Sequence, residues 1–177
     1  MDEKDSISWK KETEMKKLGT YLSVTALAAM LSILALASVA AANDLTYSFT
    51  LNGPQAAGDP NTGNTILVTG SGSFDPSAGT VIGSGSFTIF NSGGAVVNRG
   101  TWKATSFVSF DSFGGFSPGL QGGVLNITVT LSSNAGTPVS MAVTCRIKAP
   151  PNTGAEGIII GSFTNTLAGH TLFHLND

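Results

Sequence analysis

After residue 44 the chain alternates between apolar and polar side chains with a period of two, a pattern that predicts β-strands with one buried face. Residues 45–51 and 124–131 show it most clearly. Residues 157–163 instead contain three consecutive isoleucines, which is typical of a strand buried on both faces. The predicted strands are 45–51, 65–74, 80–90, 99–110, 124–131, 139–148, 157–163 and 170–175. Turns and loops rich in glycine, proline and asparagine are predicted at 52–64, 75–79, 91–98, 111–121, 132–138, 149–155 and 165–169.

The chain repeats one pentapeptide, Gly-Ser-Gly-Ser-Phe, at residues 70–74 and 83–87. Asp75 and Pro76 follow the first copy. Proline presets the backbone of a turn, and an aspartate side chain accepts a hydrogen bond from an N–H two residues on. Gly79 can take the left-handed conformation that returns the chain to the sheet. The two copies are therefore predicted to pair as an antiparallel hairpin.

Four glycines lie inside these two strands, Gly70, Gly72, Gly83 and Gly85. Each weakens a strand by roughly 0.5–1 kcal/mol relative to alanine, so they need a reason. A packing role is favoured, either sharp coiling of the sheet or close approach of an aromatic ring or a second backbone. The alternative is a polar, weakly specified outer face. A phosphate-binding loop is rejected, because a proline turn and another strand follow instead of a helix N-terminus.

About eight strands and no helix after residue 43 predict an all-β fold with a single antiparallel domain. Short connections favour neighbours in a meander. A meander barrel is favoured over a two-sheet sandwich, because closure removes exposed strand edges.

The segment from Leu18 to Ala42 is apolar and uncharged, and Lys16 and Lys17 precede it. Small residues at its end predict a helical signal peptide, residues 1–42, with cleavage between Ala42 and Asn43. An uncleaved membrane anchor is the alternative. Translation starting at Met15 would make residues 1–14 an extension wrongly assigned to the coding sequence. Residues 43–177 are then a secreted β-domain that leaves the membrane after cleavage.

The net formal charge is −2, and few charged residues follow Asn43. A nucleic-acid or anionic-membrane partner is therefore not predicted. The surface must be covered by serine, threonine, asparagine and glycine, which also suits self-association.

Cys145 is the single cysteine, so no intramolecular disulfide can form. It belongs to an alternating apolar row, and we expect a small buried hydrophobic residue there. A nucleophilic role would need a partner base and an electropositive setting. Arg146 and Lys148 are expected on the opposite face of that strand.

No metal, cofactor or catalytic residue is predicted. His170 and His174 lie four residues apart on a predicted strand, roughly 13 Å from each other, which is too far for one ion. Calcium at Asp59, Asn61 and Asn64 would have too few ligands. After Asn43 the acidic residues are scattered singly, and the chain has no nucleophile elbow of the Gly-x-Ser-x-Gly type.

Three aromatic residues are the candidates for ligand binding. Trp102 shares a predicted face with Ala104, Val108 and Phe110, with Phe107 on the other face, so a core position is favoured for it. Phe113 and Phe116 lie in a predicted flexible loop, where they would either plug the mouth of the barrel or form a binding or assembly patch.

Asn126 begins an Asn-Ile-Thr glycosylation pattern. It is predicted on the outward face of a strand, and strand interiors are poor acceptors.

Short motifs support one resemblance: residues 100–105 (Gly-Thr-Trp-Lys-Ala-Thr), 122–125 (Gly-Gly-Val-Leu) and 169–175 (Gly-His-Thr-Leu-Phe-His-Leu). With these, the chain resembles small secreted microbial all-β proteins that have no assigned function. The resemblance implies no activity and no catalytic residue. A fold-level analogy also exists to barrels of the allene-oxide-cyclase and dirigent type.

Two functions remain open from the sequence. The first is a secreted, non-enzymatic β-domain that binds a ligand or partner or assembles outside the cell. The second is a small-molecule-binding barrel with cyclase- or isomerase-like activity, whose mouth would be lined by Trp102, Phe113 and Phe116.

Overall fold

A computed structural model describes residues 46–117, 119–134 and 136–176 of the chain. The predicted signal peptide, its cleavage between Ala42 and Asn43, and the alternative start at Met15 lie outside the described residues and stay predictions. Within the described part, no helix is long and apolar enough to cross a membrane.

The described residues form nine strands and one short 3₁₀ turn, so the all-β class is confirmed. The strands are β1 (Thr46–Gly58), β2 (Thr65–Asp75), β3 (Thr80–Phe90), β4 (Val96–Ser117), β5 (Leu120–Leu131), β6 (Pro138–Cys145), β7 (Gly157–Ile160), β8 (Asn165–Ala168) and β9 (Thr171–Asn176). The 3₁₀ turn, Ser132–Asn134, connects β5 to β6.

Six strands close into an antiparallel barrel, which confirms the barrel over the sandwich. β1 to β5 pair in succession as a meander, and β9 returns to lie between β1 and β5. One edge of β5 pairs with β4, and the other edge is shared between β9 and β6. β7 extends the sheet beyond β6, and β8 pairs with the end of β1. The return of β9 is the one departure from a pure meander within the barrel.

The predicted hairpin is confirmed as β2 and β3, which pair without a register shift from Thr65↔Phe90 to Asp75↔Thr80. Oδ1 of Asp75 accepts hydrogen bonds of 2.8 Å from the N–H of Ser77 and 2.9 Å from the N–H of Ala78. Gly79 has a φ of +66°. The turn chemistry read from the sequence therefore sets this register.

The loops predicted at 52–64 and 165–169 are wrong in part. β1 continues to Gly58 where a loop was predicted from residue 52, because a register shift between Leu51 and Gln55 absorbs the turn-forming residues and pairing with β2 resumes. β8 lies where a turn was predicted at 165–169, because the end of β1 pairs with those residues.

The predicted faces of β4 need correction. Its pairing with β5 shifts register four times between Ala104 and Ser117. Each shift breaks the period of two. Val108, predicted to face inward, is 62 % exposed, whereas Phe107, predicted on the other face, packs against the core. The predicted loop at 111–121 is instead the far part of this two-stranded ladder.

The inward side chains form a continuous core that fills the barrel. The inward residues predicted for β5, Leu125, Ile127, Val129 and Leu131, are all buried. β7 differs from its prediction, since Ile158 and Ile160 are buried but Ile159 is 40 % exposed. β7 packs on the core with one face only, so three consecutive isoleucines did not indicate two buried faces here.

Candidate functional site

The glycines of β2 and β3 lie against aromatic rings inside the barrel. A side chain added at Gly70 or Gly85 would meet the Trp102 ring and neighbouring main-chain atoms, and one added at Gly72 or Gly83 would meet the Phe49 ring. The indole Nε1 of Trp102 donates a 2.9 Å hydrogen bond to the Thr69 carbonyl oxygen. The predicted packing role of these glycines is therefore confirmed. Their lack of side chains lets the Trp102 and Phe49 rings pack directly against the inner face of β2 and β3.

A second aromatic cluster fills the barrel where β3 and β4 diverge. β3 pairs with β4 only from Ser84 to Phe90, and β4 then continues with β5 alone. Phe74 is the centre of the cluster, because its ring centroid lies within 6.3 Å of five other rings. These rings belong to Tyr47, Phe49, Phe107, Phe110 and Phe173. The rings of this cluster come from β1, β2, β4 and β9, and neither Phe113 nor Phe116 is among them.

The three aromatic candidates are not brought together. Trp102 lies in the core near the start of β4 and is 1 % exposed. Phe113 and Phe116 lie near the other end of β4, where Phe113 is half-buried and Phe116 is 75 % exposed. No common mouth is lined by all three, and a part for Phe113 or Phe116 in binding stays a prediction.

A concave feature lies on the outer face of β1 to β4, directly behind the glycines. It is an open groove of about 900 Å³, which we call the outer groove. Its outward-facing side chains come from all four strands, and the main chain of the glycines forms part of its lining. These side chains are Ser48, Thr50, Ser71, Ser73, Ile82, Ser84, Thr101 and Lys103.

Strand register arranges the groove side chains in rows. Thr50, Ser71, Ser84 and Lys103 are cross-strand partners in one row, which spans four strands. Adjacent strands lie about 4.8 Å apart, so this row extends roughly 14 Å. Ser48, Ser73 and Ile82 form a parallel row. Hydroxyls at near-regular spacing therefore cover the surface.

Most of these hydroxyls face solvent. Within the described residues, Ser71, Ser73, Ser84 and Thr101 make no side-chain hydrogen bond to the protein, while Ser48 donates a long one, 3.3 Å, to Asn176. A serine or threonine hydroxyl can both donate and accept. Lys103 is the only ionisable side chain that lines the groove, and Ile82, at 72 % exposure, is its most exposed apolar one. The groove thus offers uncharged hydrogen bonding, one cation and one aliphatic contact.

The sequence reasoning missed this site. The signal was present in the repeat itself, because serines that alternate with inward glycines in two paired strands must face outward together. The sequence alone does not show that β1 contributes Thr50, and β4 contributes Lys103, to the same row.

The remaining candidate groups make structural contacts. Cys145 is 1 % exposed, and desolvation by burial raises the pKa of its thiol. The carboxylate of Asp59 accepts hydrogen bonds from the Asn61 N–H at 2.9 Å and the Ser162 hydroxyl at 3.0 Å. These bonds, the one from Asn61 first, lower the pKa of Asp59. Through these hydrogen bonds, the Asp59 side chain links the loop after β1 to the turn after β7.

The histidines lie on the surface near the end of the chain. Nδ1 of His170 lies 4.0 Å from Oε1 of Glu156, and His174 is exposed. Among the described residues, no group of three or more His, Cys, Asp or Glu side chains is placed to hold a metal ion.

The half-buried Asn126 donates a 3.0 Å hydrogen bond to the Ser109 hydroxyl, so its amide is engaged within the sheet.

Comparisons with known proteins add no function. The chain matches no protein-family model, no curated protein and no solved structure. Function is therefore inferred from the geometry of the outer groove.

Proposed function

We propose that residues 43–177 are a secreted, non-enzymatic binding domain, and that it holds an extracellular ligand in the outer groove. The observation that carries this proposal is the groove itself. Its volume of about 900 Å³ lies within the range of roughly 300–1,000 Å³ that is usual for ligand sites. Most of its hydroxyls face solvent and, Ser48 apart, make no hydrogen bond among the described residues, so they are available to a ligand.

Self-assembly through strand edges is less well supported than ligand binding. Beyond Lys103, one edge of β4 has no strand partner among the described residues, which would invite pairing with a second copy. However, β4 carries four register shifts in this part. Bulges of this kind bend and twist an edge and are a common protection against edge-to-edge pairing.

A small-molecule-binding barrel with cyclase- or isomerase-like activity is the second candidate, and the filled interior weighs against it. Trp102, Phe49 and Phe173 are each at most 1 % exposed. A cavity of about 200 Å³ is lined by apolar side chains such as Ile66 and Ile89 and by the polar residues Asn98, Ser133 and Ser162. This volume is below the usual range for ligand pockets.

A thermal-shift screen tests the proposal without assuming a class of ligand. The purified protein is screened against soluble polysaccharides, peptides, lipids and small metabolites, since a ligand that binds only the folded state raises the Tm. We expect at least one class to raise the Tm.

A blocking variant and a matched control locate the site. Ser84→Trp places a large side chain at the centre of the outer groove, and Ser140→Trp places the same side chain at an exposed position of β6 outside it. We expect Ser84→Trp to abolish the shift and Ser140→Trp to retain it. No shift with any class, or a shift that survives Ser84→Trp, would contradict the proposal.

A further inference from the structure

We propose that the ligand of the outer groove is a sparsely charged acidic polysaccharide, whose sugar hydroxyls meet the serine and threonine rows and whose carboxylate pairs with Lys103. This inference rests on the proposed function and adds the chemical class of the ligand. Three features of the outer groove support this inference: its rows of hydroxyls, its charge and the pairing of the strands that form it.

The hydroxyl rows match a sugar chain. Each sugar hydroxyl donates and accepts, as each serine or threonine hydroxyl does. The row of Thr50, Ser71 and Ser84 runs across the strands toward Lys103 and provides such partners over roughly 10 Å, or about 14 Å with Lys103. Ile82 adds an aliphatic surface for the carbon-bound hydrogens of a sugar ring. A short stretch of an extended glycan therefore fits the length and chemistry of the groove.

The charge of the groove limits how acidic the ligand is. Lys103 forms no ion pair within the described residues, so its ammonium group is available to a carboxylate. A smaller cavity shares Ser73 and Ile82 with the groove, and it contains a carboxylate, that of Asp75. One cation in the groove and one carboxylate in the adjoining cavity favour a ligand with an isolated negative charge. A densely charged polyanion would find only one cation in the groove, Lys103, to pair with its many negative charges.

Two other classes of macromolecule fit less well. A nucleic acid needs a basic surface, and the chain has a net formal charge of −2. A protein partner usually finds exposed tryptophan, tyrosine or arginine at the centre of an interface. The groove is lined by one such residue, Trp102, and its side chain is only 1 % exposed. The row from Thr50 to Lys103 crosses four strands that are paired with one another there, so a peptide would find no free edge along this row.

The test compares two oligosaccharides that differ by one charge. Isothermal titration calorimetry measures the affinity of the purified protein for the tetrasaccharide in which xylotriose carries one 4-O-methylglucuronic acid, and for the same tetrasaccharide with its carboxyl group reduced to a primary alcohol. At low ionic strength we expect the acidic sugar to bind about two- to fivefold more tightly, which is what one exposed ion pair supplies. Added salt should reduce the difference, because exposed charges are screened.

Two variants assign the effect to one side chain. Lys103→Gln should bring the affinity for the acidic sugar down to that for the neutral sugar. Arg146→Gln, which removes an exposed cation outside the groove, should leave the preference intact. Equal binding of the two sugars, or a preference that persists in Lys103→Gln, would overturn the inference and leave the proposed function standing. Binding of neither sugar would also overturn it, and the thermal-shift screen then decides separately whether the groove binds another class.

Discussion

The indole nitrogen of Trp102 donates its hydrogen bond to the carbonyl oxygen of Thr69, although β3 lies between their two strands. The ring therefore crosses the inner face of β3 to reach β2. It lies where side chains at Gly70 and Gly85 would otherwise project. The repeated glycines thus make room for one ring in the core, and the same alternation turns the serines of the repeat outward into the groove.

The first prediction concerns Gly85. An alanine here would place its methyl group against the Thr69 carbonyl oxygen and 2.5 Å from the Trp102 indole nitrogen. Because the oxygen is main chain and the ring is fully packed, neither gives way easily. We expect Gly85→Ala to lower the free energy of unfolding by about 3 kcal/mol, measured by urea denaturation.

Gly154→Ala is the matched control for Gly85→Ala. Nothing lies within 4 Å of a side chain added at Gly154. We expect this variant to change stability by less than about 1 kcal/mol. Equal effects of the two substitutions would show that the ring does not require the glycine.

The second prediction concerns the aromatic cluster. Phe74 is 2 % exposed and packs against five rings, so Phe74→Ala removes contacts on every side and leaves a cavity. We expect a loss of about 3–5 kcal/mol in the free energy of unfolding.

Phe116→Ala is the same substitution at a position that is 75 % exposed. We expect it to change stability by less than about 0.5 kcal/mol in the same denaturation experiment. A large loss at Phe116 would indicate that the far part of β4 packs against more than the structure describes.

The third prediction concerns the reactivity of Cys145. Burial raises the pKa of its thiol, which lowers the thiolate fraction at a given pH, and the thiolate is the species that is alkylated. We expect iodoacetamide at pH 8 to label the native protein far more slowly than the urea-unfolded chain, as followed by intact mass. Rapid labelling under native conditions would mean that Cys145 is accessible and that its strand opens readily.

The fourth prediction concerns acid stability. The pKa of Asp59 is lowered in the folded state, so its carboxylate stabilises the fold above the ordinary aspartate pKa of 3.8 and loses this contribution as the pH falls below it. The pKa of Asp75 is lowered too, chiefly by the Ser77 hydroxyl, and has the same sign. Asp59→Asn should therefore flatten the decline in stability between about pH 5 and pH 3.

Asp111→Asn provides the comparison, because Asp111 is an exposed carboxylate of β4. Urea denaturation across the pH range should show the decline retained in this variant. If both variants flatten it equally, the hydrogen bonds from Asn61 and Ser162 do not set the acid sensitivity.

Local chemistry explains which parts of the fold could be predicted from sequence. Asp75, Pro76 and Gly79 set the β2–β3 turn within five residues, so the sequence indicated the hairpin and its register. The buried face of β5 could also be predicted from sequence, because its inward residues keep a period of two.

The faces of β4 and the return of β9 depend on closure of the barrel. The shifts between Ala104 and Ser106 and between Phe107 and Ser109 are properties of the β4–β5 pairing, and nothing in the local sequence marks them. The outer groove was hidden for the same reason, since Lys103 joins Ser84 only once β3 and β4 have paired.

The most direct test of ligand binding at the outer groove is a ¹H–¹⁵N NMR titration of the purified protein with the uronic-acid tetrasaccharide. We predict that the largest amide shifts occur at Ser71, Ser84 and Lys103 and their cross-strand partners, while amides around the buried Phe173 barely move. Shifts concentrated on core residues, or at the end of the barrel near Phe163, would contradict the account.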